Sequence, residues 1–137
     1  MEEIVLYLLI CLAAISKATR DILLHDKYNR SVFSLIPKSS KLHYFFNTPR
    51  EMSRNKYKDR DDVARKERFP LSTSVFVWLL DGFHFTEFLI RLSMFGVMVA
   101  SYWMEVDLSP IKIIAFWVLH SMVFRLFYRR VLIKTNE

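Results

Sequence analysis

The sequence is short of the residues that make loose or cross-linked proteins: its 137 positions include 2 Gly, 4 Pro and 1 Cys. With Cys11 as the lone cysteine no disulfide can close within the chain, and its apolar surroundings make packing its ordinary role. So little glycine and proline excludes a collagen-like fibre or a low-complexity linker. The two glycines, Gly82 and Gly96, form no phosphate loop, and neither an HExxH motif nor a run of histidines occurs. Ser72, Ser74 and Ser93 have no neighbouring His in a nucleophile pattern. Acidic residues are also in deficit, 14 Asp and Glu against 20 Lys and Arg, for a formal charge of +6.

What is abundant is apolar surface, with 53% hydrophobic and 15% aromatic residues. Mean hydropathy is +0.17 although the pI is about 9.6, so charge and apolar surface must be segregated along the chain. The basic residues lie between apolar runs, which argues against nucleic acid as a partner and for the anionic headgroups of a lipid bilayer.

Residues 1–25 read as a first transmembrane helix, since the run from Ile4 to Leu24 spans about 31 Å as a helix, enough for a bilayer core. Glu2 and Glu3 stand where a secretory leader needs a basic start, and no small-x-small site ends the run, so it reads as retained. Residues 26–70 form a basic insert with 12 Lys and Arg against 6 Asp and Glu. Its front half mixes aromatics with basic residues, a composition suited to the headgroup layer. Residues 71–104 read as one long transmembrane helix starting near Ser72, after Pro70. A short turn follows at 105–110, Ser109 and Pro110 begin a third span over 111–128, and a basic tail covers 129–137. With three spans the insert and tail share one side, and positive residues are retained in the cytoplasm. The fold expected is therefore an all-α integral membrane bundle of three transmembrane helices with a cytoplasmic, partly interfacial insert. It would lie in the cytoplasmic (inner) membrane as a multi-pass protein, N-terminus out and C-terminus in.

Ionisable side chains inside the apolar runs are the main guide to function, because each costs about 2.5–3.5 kcal/mol at a helix centre. On the second span Asp81, His84, Glu87 and Arg91 fall on one helical face, with Thr73 in the same arc. On the first span Lys17, Arg20, Asp21 and His25 cluster near the insert end, at spacings that let Lys17 or His25 meet Asp21. The third span adds His120 and Arg125. Two readings follow. Arg20, Arg91 and Arg125 can pair with Asp21, Asp81 and Glu87 as structural ion pairs that fix helix register. Alternatively Asp21, His25, Asp81, His84, Glu87 and His120 are ligands for zinc, iron or manganese, as the Asp-x-x-His-x-x-Glu spacing allows. The first makes a structural or partner-binding protein, joined to copies of itself or to another membrane protein. The second makes a metal-dependent hydrolase or lipid-modifying enzyme. A third, a holin-like pore, fits the size and a polar helix face.

The segments RDILLH with SVF after it, FNTP with NKY, FPLST with LLDGFH, and a last span ending FRLFY resemble a group of small uncharacterised bacterial and bacteriophage polytopic membrane proteins. The likeness covers about residues 18–128. The chain departs from it at Phe46-Asn47 and Phe83-His84, where the group has Trp. The resemblance implies that Asn47, Pro49, Asn55, Lys56 and Tyr57 belong to an ordered loop folded over the helix ends, capping the polar cluster.

Overall fold

The computed structural model describes residues 2–24, 30–46, 67–74 and 76–133. Among these residues the protein is all-helical, with one isolated bridge between Ser31 and Ile133 and no longer strand. Four α-helices carry the architecture: α1 (Glu2–Leu24), α2 (Lys41–Phe46), α3 (Gly82–Trp103) and α4 (Pro110–Leu126).

Helix α1 is the middle of the bundle, and its sequence explains why. Leu6, Ile10, Ala14, Ala18 and Ile22, four or so residues apart, are all buried, and the alanines let neighbouring backbones come close. On α3 the buried positions are Gly82 and three hydroxyl residues. Thr86 donates to the Gly82 and Phe83 carbonyls at 2.9 Å, Ser93 to Leu89 at 2.7 Å, and Ser101 to Val97. Each hydroxyl is satisfied within its own helix and presents a small side chain to α1. Gly96 belongs to the same contact, since a Cβ there would lie 3.2 Å from the Leu9 side chain. Helices α3 and α4 each lie along α1 and barely touch one another.

The second long helix does not start near Ser72. It begins at Gly82, because Asp81 is extended (φ −158°, ψ 167°) and its carboxylate accepts the His84 backbone N–H at 2.9 Å, a side-chain N-cap. Upstream, Leu71 is left-handed (φ 61°), and the Glu67 carboxylate accepts the Leu71 N–H at 3.0 Å and the Thr73 hydroxyl. Ser72 accepts the Arg68 N–H at 3.2 Å instead of capping a helix. Thr73 therefore lies in a turn and not on the polar face of α3.

At its far end α3 closes with Glu105 left-handed (φ 50°), Val106 N–H on the Ser101 carbonyl at 3.0 Å and Glu105 N–H on Tyr102 at 3.3 Å. This is the Schellman pattern. Ser109 and Pro110 start α4 as the sequence suggests, but the helix continues past Leu126 as a π-helical turn, Phe127–Val131. The insert returns to that turn, with Val32 N–H on the Leu132 carbonyl at 2.8 Å. Ala18, Ile22 and Leu132 pack there with Val32, Phe33 and Phe127. At the opposite end Lys112 pairs with Glu3 at 2.8 Å. The described residues 30–46 of the insert and 129–133 of the tail thus share one end of the bundle, and the 105–109 turn shares the other with the N-terminal end of α1.

Two stretches, α3 and Pro110–Val131, are long and apolar enough to cross a membrane. The most apolar window of the second is only 6% buried within the protein, and Met98, Trp103, Ile111 and Trp117 are all strongly exposed. Helix α1 is as long, but Lys17, Arg20 and Asp21 in its last turns set it apart.

Candidate functional site

Near the insert end, Arg20 and Asp21 on α1 face Glu87 on α3. The Arg20 guanidinium donates to Glu87 Oε2 at 2.6 Å and to Asp21 Oδ1 at 3.2 and 3.4 Å. Arg91, one turn along α3, donates to Glu87 Oε1 at 3.1 and 3.2 Å. Two carboxylates and two guanidiniums form a neutral chain, Asp21–Arg20–Glu87–Arg91, that crosses from α1 to α3. Such charge-assisted bonds are the stronger kind, and here one joins residues 67 apart in sequence on two helices.

A second polar unit lies at the start of α3. Asp81 is buried and sits 2.9 and 3.0 Å from His84 Nδ1, so one carboxylate both caps the helix and orients the imidazole. Aromatic rings close around it. Phe46 of α2 stacks on Phe33 at 4.7 Å and lies so near Gly82 that a Cβ there would meet its ring at 2.5 Å. Trp78 stacks on Phe88 at 4.7 Å. The close approach that accounts for Gly82 thus comes from Phe46 of the insert and Leu23 of α1.

The residues picked out from sequence therefore separate into groups. Asp21 and Glu87 share Arg20, Asp81 takes His84, and His120 stands apart on α4. Lys17 does not reach Asp21; its Nζ lies 5.5 Å from the centre of the Phe124 ring. Arg125 has no ion pair among the described residues. Among those residues no three His, Cys, Asp or Glu come together as a set able to hold a metal ion. His25 and the loop residues Asn47, Pro49, Asn55, Lys56 and Tyr57 lie outside the described residues.

One feature of the site was not visible in the sequence. A cavity of about 610 Å³ lies where α3 and α4 part over α1, with Met94, Val97 and Trp117 along it and Lys17, His120 and Arg125 at the insert end. On α4 its lining recurs every three or four residues, but α4 is apolar on all sides, so no face stands out by composition. No protein-family model, no curated protein and no solved structure matches this chain.

Proposed function

We propose that this chain is a three-span protein of the cytoplasmic membrane, N-terminus out and C-terminus in, and that it is structural or partner-binding. The observation that carries this reading is the 2.6 Å pair between Arg20 and Glu87. Arg20, with Arg91 beside it, neutralises two carboxylates that a metal centre would need, Asp21 and Glu87, and it ties α1 to α3. The membrane part is supported by two helices long and apolar enough to span. Its third span is α1, whose charged last turns are matched by α3. The exposed faces of α3 and α4 are then the surfaces offered to lipid, to a second copy or to another membrane protein.

The 2.9 Å contact between Asp81 and His84 favours a second reading. A carboxylate on Nδ1 leaves Nε2 as the available nitrogen, the arrangement of a metal-ligating or acid–base histidine. Elemental analysis of detergent-purified protein separates the two. The structural reading expects no stoichiometric zinc, iron or manganese. Bound metal that is lost in His84→Ala would replace it with the enzyme reading. Sidedness is checked by impermeant maleimide labelling of single cysteines in Cys11→Ala protein: a cysteine at position 107 labels from outside intact spheroplasts, and one at 135 only after lysis. The reverse pattern overturns the orientation, and depolarisation of cells on expression would turn the reading toward a pore.

A further inference from the structure

The cleft between α3 and α4 is open along its side, because each helix packs on α1 and hardly on the other. Its volume, about 610 Å³, lies within the roughly 300–1,000 Å³ of small-molecule sites. Its chemistry is graded along the bundle. Leu108 and Ile113 lie at the turn end, Met94 and Trp117 follow, and the cations Lys17 and Arg125 stand at the insert end. Lys17 lies about 10 Å in from the end of α1, and Arg125 about 9 Å in from the end of the π-helical turn, at 1.5 Å per residue. Both are within reach of the same interface by snorkelling. Neither has a carboxylate partner among the described residues, whereas Arg20 and Arg91 both do.

We infer that this cleft binds an anionic phospholipid of the cytoplasmic leaflet, with an acyl chain along Ile113, Trp117 and Met94 and the phosphate against Lys17 and Arg125. Two cations with no carboxylate partner among the described residues, at the mouth of an apolar channel, are complementary to an anionic amphiphile. His120 and Ser121, just below them on α4, supply hydrogen-bonding groups at the depth of the glycerol ester oxygens. A helix from a partner would fill the apolar part but leave the two cations buried without countercharge, at a cost of several kcal/mol each.

The inference rests on the membrane reading but not on its orientation, and the test keeps the two apart. Full-length protein in a neutral detergent is melted with increasing dioleoyl phosphatidylglycerol, dioleoyl phosphatidylcholine or inorganic phosphate. Phosphatidylglycerol should raise the Tm by about 5 °C at saturation, with neither of the others doing so. Lys17→Gln/Arg125→Gln should abolish the shift, and Lys17→Arg/Arg125→Lys should keep it. Equal shifts with the two lipids, a shift with free phosphate alone, or a full shift in the double Gln variant would each overturn the inference. If the double Gln variant does not fold, the comparison of the two lipids on the unaltered chain decides. A dimer whose melting ignores phosphatidylglycerol would assign the cleft to a second copy. Detergent has no sides, so an inverted topology leaves the expected shifts intact.

Discussion

Glu87 holds two guanidiniums at once, and their environments differ. The Arg91 side chain is 77% exposed and that of Arg20 27%. An exposed i,i+4 pair contributes about 0.3–0.5 kcal/mol, whereas removing one partner of a buried pair costs about 3–5 kcal/mol. Glu87→Gln and Arg20→Gln should therefore each destabilise the protein by about 2–4 kcal/mol, measured as SDS-induced unfolding in mixed micelles. Arg91→Gln should fall below about 0.5 kcal/mol. The Arg20/Glu87 double variant should lose less than the sum, with a coupling of about 1–3 kcal/mol; strict additivity would mean that the pair does not hold α1 to α3. Glu67 gives a prediction in pH. The Thr73 hydroxyl, then the Leu71 backbone N–H, hold its carboxyl below the ordinary glutamate range. A lowered folded-state value means that the turn is supported above the ordinary value and loses that support as pH falls through the lowered one. The Leu71 and Thr73 amide shifts should titrate together, with a midpoint below that of an ordinary glutamate, and Glu67→Gln should abolish the titration.

At the scale of the element, the start of α3 sets two effects against each other at Gly82. Alanine in a helix is favoured over glycine by up to about 1 kcal/mol, but here its Cβ would lie 2.5 Å from a Phe46 ring that is stacked on Phe33 and meets Phe45 edge-on. Overpacking a fixed site costs about 1–3 kcal/mol, so Gly82→Ala should lower the Tm, and a rise would show the ring free to move away. The helical segments around α1, α3 and α4 were legible because long apolar runs and Ser109-Pro110 are local signals. The beginning of α3 was not. Periodicity alone puts Asp81 on a helix face, but an Asp just ahead of Gly82 can equally cap a helix, and apolar continuity through residues 77–80 conceals the break. Likewise periodicity puts Arg20 and Asp21 in one cluster with Lys17 and His25 on the first span, and Glu87 and Arg91 on one face with Asp81 and His84 on the second, but which cation takes which anion depends on the rotation of α1 against α3. That rotation is set by small residues such as Ala14, Ala18, Thr86 and Gly96, whose spacing on one helix does not reveal the register of the other. The bridge of Ser31 to Ile133 joins segments with no local pattern in common.

At the scale of the whole molecule, the described residues 30–46 of the insert and 129–133 of the tail lie at one end, so in a three-span protein the charges of the two segments would count as one block. The insert of 45 residues carries 12 Lys and Arg and the 129–137 tail 3 more, while the 105–110 turn has none and only Lys112 follows closely. Loops shorter than about 60 residues count fully toward orientation, which puts 15 basic residues against one. If orientation follows that total, Glu105→Lys/Asp107→Lys should leave the topology unchanged: three basic residues at the turn remain far outnumbered. If instead the acidic turn and the Glu3–Lys112 pair at that end set orientation, the same double variant should invert a measurable fraction of chains. Labelling a cysteine at position 135 in intact spheroplasts distinguishes these outcomes. No labelling above the unsubstituted background supports the total-charge account, and strong labelling refutes it. If α1 crosses as proposed, with Lys17, Arg20 and Asp21 in its last turns, the adjacent basic insert would have a second effect: it would hold those turns at the cytoplasmic boundary, where their charges reach water or Glu87. Moving the block outward would then draw all three through the bilayer, so the proposed orientation and the α1–α3 ion pair would reinforce each other.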